Sequence, residues 1–232
     1  MNNSLFQNPL LYDSQYQTLT KDIRFYTKLA KQTGGPVLEL GIGTGRIAYS
    51  ILKTGIPLTG IDVSDEMLTT AKEYLKPFST LCKIQKAGFD NFQFEECFKL
   101  IFSGFNSLHH LKDNHDFQKL LLRVRDHLKP EGLFAFDIIN PHPSFLKNQM
   151  EPVLRERFFD EQTSCACEVW ETYEYNPKTK LKSQHWEYRW ENGKKESRTL
   201  THQLFFPEEI QNILKQSKHP KKPEVFGNLK NF

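Results

Sequence analysis

A short apolar run, Val37-Leu38-Glu39-Leu40, stops at three alternate glycines, Gly41, Gly43 and Gly45, and Arg46 opens an amphipathic segment directly behind them. Glycine lacks a Cβ, so such a turn can be tight and a ligand can approach its main chain closely. The exposed N–H groups at the start of the following helix favour a carboxylate or a phosphate. The pattern predicts a buried strand over 37–40 and a helix over 46–53, joined by a ligand-binding loop.

The same rhythm continues along the first 140 residues. Apolar segments at 56–61, 81–85, 100–102 and 133–138 alternate with helical periodicity at 66–75 and 116–128, the latter ended by Lys129-Pro130. A helix over 12–32, carrying Ile23, Tyr26 and Leu29-Ala30, precedes them and is broken by Gly34-Gly35-Pro36. Strands alternating with helices imply parallel pairing through right-handed crossovers. The expected fold class is therefore α/β, a doubly wound, mostly parallel sheet with helices on both faces. Its ligand belongs at the carboxyl ends of the strands, where the strand order switches.

After Asn140-Pro141 the period shortens. Trp186, Tyr188 and Trp190 alternate with Glu187, Arg189 and Glu191, and Asn192-Gly193 marks a hairpin. Residues 141–206 are expected to form an antiparallel β insertion, acting as a substrate lid. Its aromatic residues Trp170, Trp186 and Tyr188 either wall an acceptor pocket or form the insertion's own core. A helix over 207–216, with proline in its first turn, and an edge strand within 207–232 are expected to complete the core formed by residues 1–140.

Composition narrows the partners. Thirty-one basic residues are interspersed with 28 acidic ones, so no basic stripe points to nucleic acid. No apolar run reaches the roughly 20 residues that span a bilayer, and the first residues lack the pattern of a secretory signal. A cytoplasmic protein, monomer or homodimer, without a membrane partner is expected. Cys82, Cys97, Cys165 and Cys167 fit reduced thiols, and Cys165-Ala-Cys167 has no second pair at ligand spacing, so no metal is expected.

The residues flanking the loop discriminate between ligands. A dinucleotide-binding loop usually reads G-x-G-x-x-G; here the third glycine comes one position early and Arg46 stands in its place. Glu39, two residues before Gly41, would repel a pyrophosphate yet suits an ammonium group. That favours an amino-acid-bearing nucleoside over NAD. Asp62, at the end of Gly60-Ile61-Asp62, is placed to accept hydrogen bonds from both ribose hydroxyls, unless Asp62 or Ser64 simply caps the next helix. Met67 can pack on an adenine face or in the core.

The segments VLELGIGTGRIA, GIDVSDEMLTTAKE, LIFSGFNSLHHL and LKPEGLFAFDI, in this order over about residues 12–140, resemble the class I S-adenosylmethionine-dependent methyltransferases, whose sheet is Rossmann-like. Tyr12-Asp13, Tyr16 and the aromatic insertion are most similar to small-molecule enzymes of the glycine and amino-sugar N-methylating type. The resemblance implies S-adenosyl-L-methionine as cofactor and S-adenosyl-L-homocysteine as product. Glu39 would orient the methionine amino group, directly or through water. Gly41, Gly43 and Gly45 would cradle the methionine and ribose, and Asp62 would hold the ribose. Val63 and Met67 would flank the adenine, Tyr12 and Tyr16 would close over the cofactor, and Phe105 to Leu108 would border the sulfonium and the acceptor.

This chain departs from the family in three places. The acid that usually accepts from the adenine amino group is Gly88, leaving Asp90 or the backbone of Phe89 to substitute. Lys99 stands where an aspartate commonly follows the phenylalanine before the fourth strand. The family's sheet usually finishes with a long antiparallel strand, and residues 224–232 stand where its approach would begin.

Methyl transfer from a sulfonium is an in-line displacement in which alignment and desolvation supply most of the catalysis. An amine acceptor need only lose its proton, whereas a hydroxyl usually wants a general base. His110 is the candidate base, against a structural histidine. The implied function is methyl transfer to the amine or hydroxyl of a small-molecule acceptor. The alternatives are a non-catalytic S-adenosylmethionine-binding protein and an NAD-dependent oxidoreductase.

Overall fold

The computed structural model describes residues 5–216, so the edge strand expected within 207–232 lies largely outside the described residues. The chain divides into two units, one combining residues 19–139 with 206–216, the other combining residues 5–18 with 140–205.

In the first unit, β1 (Val37–Leu40), β2 (Leu58–Asp62), β3 (Cys82–Lys86), β4 (Phe98–Ser103) and β5 (Leu128–Phe136) form one sheet in the order β3-β2-β1-β4-β5. Every pairing is parallel. Helices α2 (Lys21–Thr33), α3 (Arg46–Leu52), α4 (Asp65–Tyr74), α5 (Asn114–His127) and α6 (Pro207–Gln216) belong with it. Val37, Leu38 and Leu40 are fully buried, as a strand covered on both faces requires. Tyr26 and Ala30 of α2, Ile47 and Ile51 of α3, and Leu100 and Phe102 of β4 join Val37 in one core. Order reverses between β1 and β4, which is where a doubly wound sheet opens a crevice at its carboxyl edge.

The single helix expected over 12–32 is two helices, α1 (Pro9–Tyr16) and α2, and they fall in different units. Asn8 starts α1 by accepting from the Leu11 N–H at 3.1 Å, with Pro9 in the first turn. Asp22 then favours a fresh helix start, its carboxylate accepting from the Ile23 N–H at 2.8 Å. The apolar spacing runs across this break, so periodicity alone could not place it.

The second unit carries β6 (Gln149–Asp160), β7 (Cys165–Asn176), β8 (Leu181–Trp190) and β9 (Lys195–Gln203), antiparallel in sequence order. The β8–β9 hairpin turns at Gly193, with φ +86°, beside Asn192. Lys182, Gln184, Trp186, Tyr188 and Trp190 form its buried face. There Glu171 Oε1 accepts from Trp186 at 2.8 Å, Gln184 at 2.6 Å and Arg155 at 2.7 Å. The Tyr188 hydroxyl donates to Gln15 at 2.6 Å, and Gln15 donates to Glu156 at 2.7 Å, which bonds α1 to this sheet. Trp186 and Tyr188 thus belong to the sheet's own buried network. Trp170 pairs with Glu187 on the opposite face, under the Arg189 guanidinium at 4.7 Å, so the three aromatics do not make one wall. Among the described residues no helix is long and apolar enough to cross a membrane.

Candidate cofactor site

Glu39 is the one polar residue of a strand otherwise fully buried, and it is itself only 2% exposed. Among the described residues its Oε2 has no hydrogen-bond partner. Burial pushes its carboxyl well above the usual carboxylate range; Arg46 opposes the shift, while Asp22 and Asp62 add to it. An uncompensated buried carboxyl destabilises a fold. An ammonium group is the ligand chemistry that would satisfy this oxygen.

The loop beyond it is fixed from below. Gly41 and Ile42 both donate to the Ile61 carbonyl at 2.9 Å, and Gly45 donates to the Ile42 carbonyl at 3.0 Å. All three glycines take positive φ, +77°, +56° and +90° in chain order. Their surroundings differ. A Cβ on Gly41 would stand 3.1 Å from Ser107 Oγ and 3.7 Å from the Phe89 ring, and one on Gly45 would stand 2.8 Å from Leu75 Cδ1. A Cβ on Gly43 would meet nothing within 4 Å. Protein atoms crowd the outer two glycines, while Gly43 faces open space that a ligand can fill.

Asp62 ends β2 and is half-buried. Its Oδ2 accepts from the Gly43 N–H at 2.9 Å and its Oδ1 from the Ser64 N–H at 3.0 Å. Ser64, whose hydroxyl accepts from the Met67 N–H at 3.2 Å, is the cap of α4. Asp62 is therefore no helix cap: it braces the glycine loop and retains lone pairs for a further donor. Asp62→Asn should weaken S-adenosylhomocysteine binding by about tenfold to a hundredfold, through loss of charge-assisted bonds. Calorimetry checks this, and a loss below about twofold would leave Asp62 a purely structural brace.

Val63 is 66% exposed, and its Cγ1 lies 3.7 Å from where a Gly88 side chain would begin. Met67 is 1% exposed, which makes it a core methionine with little surface left to offer an adenine. At Gly88 the N–H donates to Asn91 Oδ1 at 2.8 Å, and Asp90 Oδ1 lies 3.0 Å from the Cβ position that residue 88 lacks. A carboxylate thus stands close to the place where the family carries its acid, supplied from two residues further on.

After β4 the chain makes a turn in which Phe105 and Asn106 both have positive φ, 54° and 60°. For a phenylalanine this conformation is strained. Asp137, just beyond β5, holds it by accepting from the Phe105 N–H at 2.9 Å and the Asn106 N–H at 2.8 Å. The Tyr26 hydroxyl donates to the same carboxylate at 2.6 Å, and burial raises the pKa of both groups. The Phe105 ring lies 5.2 Å beneath the Arg46 guanidinium, which pairs through both terminal nitrogens with Asp22.

The two histidines part company. His109 is fully buried and accepts from the Ile139 N–H at 2.8 Å, a structural role. Desolvation and the neighbouring His109 lower the pKa of His110 to about 4, although its side chain is exposed. It is neutral at pH 7 but too weak a base to match proton removal from a hydroxyl. Tyr12 and Tyr16, with ring centroids 4.9 Å apart, belong to the other unit.

The structure thus brings together Glu39, Gly41, Gly43, Gly45, Asp62, Val63, Gly88, Phe89 and Phe105. Sequence reasoning missed Asp22 and Asp137. Asp137 had a signal, since it follows its strand at the carboxyl edge as Asp62 ends β2. Asp22 had none.

Residues 37–132 match a family described as "Methyltransferase domain". The curated protein "Putative methyltransferase YqeM" of Bacillus subtilis (strain 168) is 29% identical over 139 residues, 60% of this chain and 54% of that protein. The chain spans 43% to 64% of the length of the curated relatives it matches. The CcbJ methyltransferase from Streptomyces caelestis superposes with a TM-score of 0.79 at 20% identity, covering 94% of this chain and 88% of that one. SAM-bound CalS10, an amino pentose methyltransferase from Micromonospora echinaspora, does so at 0.71 and 14% identity, covering 89% and 87%. Residues 37–132 thus carry the match to a methyltransferase domain, and the five-stranded sheet has the Rossmann-like methyltransferase fold.

Proposed function

We infer that the chain is an S-adenosylmethionine-dependent methyltransferase acting on a small-molecule amine. The observation that carries this reading is the loop whose middle glycine faces open space, next to the buried Glu39 carboxyl and braced by Asp62. A pyrophosphate would meet an uncompensated carboxylate there, whereas the α-ammonium of a methionine tail would complete it. When bound, the cofactor supplies a methyl group already activated on sulfur.

What remains for the chain is placement. Glu39 holds the ammonium, Asp62 accepts from the ribose, and Val63 with Phe89 borders the adenine. Asp137 keeps the Phe105 turn rigid where the reacting groups are to be aligned. An amine acceptor can release its proton to water, so the reaction needs no general base from the chain. The amino pentose and glycopeptide N-methyltransferases with similar folds act on compounds of that class by their names.

Calorimetry with S-adenosylmethionine, S-adenosylhomocysteine and NAD tests the ligand, and a screen of amine and hydroxyl metabolites for S-adenosylhomocysteine release tests the reaction. Binding of NAD alone would overturn the reading; tight cofactor binding without turnover on any acceptor would point to a non-catalytic binding protein. We assign acceptor selection to the four-stranded unit. Trp186→Phe, which removes the bond to Glu171, should lower acceptor kcat/KM while changing S-adenosylhomocysteine affinity by less than about twofold. Lost cofactor affinity with an unchanged acceptor preference would refute that assignment.

A further inference from the structure

The turn after β4 is underlain by one ring. Tyr26 of α2, fully buried, stacks on Phe102 with centroids 4.5 Å apart, and its Cε2 lies 3.1 Å from where a Cβ on Gly104 would stand. Ile47 Cδ1 closes the same spot at 2.7 Å, so a glycine there lets helices and turn approach this closely. The Tyr26 hydroxyl lies 2.6 Å from Asp137 Oδ1, with the Ser103 carbonyl 3.1 Å away. Burial holds Tyr26 protonated, so the hydroxyl donates and the carboxylate accepts. Both Asp137 oxygens are thereby engaged, Oδ1 by Tyr26 and the Phe105 N–H, Oδ2 by the Asn106 N–H. Successive N–H groups converge on one anion only where the chain folds into a small concavity, and here Phe105 bears the strain of doing so.

The clamped turn ends against the glycine loop. Ser107 donates to the Gly104 carbonyl through its hydroxyl at 2.8 Å and its N–H at 3.3 Å. That folds Ser107 back, so that its Oγ and Cβ stand 3.1 and 3.2 Å from where a Cβ on Gly41 would be. One residue before that glycine, the Leu40 carbonyl accepts from Ser103 Oγ at 3.1 Å. The carboxyl ends of β1 and β4 therefore touch at the point where strand order reverses.

Resting on the cofactor reading above, we propose that Tyr26 and Asp137 are positioning residues that hold the Phe105–Ser107 turn against Gly41 and so set the cofactor loop before a ligand enters. Neither touches the cofactor or the acceptor; their effect runs through the main chain of the turn and the Ser107 side chain. A turn already in place need not be ordered on binding, which leaves more of the contact energy as affinity. The other charged or titratable groups on this side are Asp22 of α2 and Glu39 of β1, which add negative charge, with Arg46 of α3 held by Asp22 and His109 held on the Ile139 N–H.

Two measurements on the full chain test this: amide hydrogen exchange by NMR without ligand, and calorimetry with S-adenosylhomocysteine at neutral pH. Tyr26→Phe keeps the ring on Phe102 and removes only the hydroxyl. It should speed exchange at Phe105 and Asn106 by at least about tenfold, leave the β1 amides within about twofold, and weaken S-adenosylhomocysteine by about threefold to tenfold. Asp137→Asn should weaken it by at least about tenfold. On acidification of the wild type, the Phe105 and Asn106 amide shifts should move together as Asp137 takes up its proton, above the ordinary carboxylate range because the group is buried. Tyr26→Phe should raise that midpoint by about one unit, since the hydroxyl no longer favours the charged form. Glu39→Gln should leave it within about half a unit, and Asp137→Asn should abolish it. A Tyr26 that merely filled space would alter stability without moving the midpoint.

Unchanged turn exchange, unchanged S-adenosylhomocysteine affinity or an unmoved midpoint in a folded Tyr26→Phe would each overturn the proposal. So would equal acceleration at the turn and at β1. If Asp137→Asn does not fold, Tyr26→Phe decides the matter; if the wild type unfolds before its turn amides titrate, exchange and calorimetry at neutral pH decide it. Failure of the wild-type chain to bind S-adenosylhomocysteine overturns the cofactor reading and this inference with it. Wild-type binding combined with an indifferent Tyr26→Phe overturns this inference alone.

Discussion

Gly43→Val should reduce S-adenosylhomocysteine affinity by at least about a hundredfold while the chain still folds. A Cβ at Gly43 meets no atom of the described residues within 4 Å, so a side chain has room to start there until a ligand arrives. The fold-level penalty is the left-handed backbone at φ +56°, about 1–2 kcal/mol for a residue with a Cβ and more for a β-branched one. Gly43→Asn separates the two effects, since asparagine tolerates this conformation and still projects a side chain into the space. Both variants should lose binding with near-native circular dichroism. Gly60→Val is the contrasting control: its Cβ would stand 2.2 Å from Ile42 Cδ1, so it should lower Tm first and binding only as a consequence. Unchanged affinity in Gly43→Val would remove the loop from the site.

Glu39→Gln should do two opposite things. Its pKa is raised in the folded chain, so the native state holds its proton to higher pH than the unfolded chain does. Stability is therefore lost as pH rises above the ordinary value of 4.5 toward the folded one, and removing the group restores it. The glutamine variant should have the higher Tm at neutral pH, by a margin that shrinks on acidification. Ligand binding runs the other way. An ammonium pairs with the ionised form, so wild-type affinity for S-adenosylhomocysteine should fall as pH drops below the folded pKa, by up to about tenfold per unit. The variant should bind about tenfold to a hundredfold more weakly at neutral pH, with that part of its pH dependence gone. Differential scanning calorimetry and titration across pH read both. A pH-independent difference between the two proteins would mean that Glu39 does not meet a charged ligand group.

The elements legible in the sequence were those whose cause is local. β1 and the Leu100–Phe102 stretch of β4 are buried on both faces, so they show as short apolar runs, interrupted only by Glu39, that need no partner to be recognised. The glycine loop was legible because strand, turn and helix start follow one another within ten residues. β6 was less so: it starts at Gln149, where Met150 and Val153 on its exposed stretch break the alternation. What the sequence concealed was long-range. Asp137 meets residues 105 and 106 across 31 or more positions, Asp22 meets Arg46 across 24, and neither pairing leaves a periodic trace. The low basicity of His110 is likewise a property of its surroundings, invisible in His109-His110 as letters.

The turn at Phe105-Asn106 has a bearing on attempts to improve the protein in the laboratory. Phe105 holds about 1 kcal/mol of backbone strain there, maintained by the Asp137 carboxylate. Glycine at position 105 releases that strain at no steric expense, so a library screened for heat resistance should enrich it. The same substitution loosens a segment that Asp137 clamps, and a library screened for turnover should discard it. Residue 105 is thus a position at which two selections applied to one library should diverge, and sequencing the survivors of each would show which demand has shaped this bend of the chain.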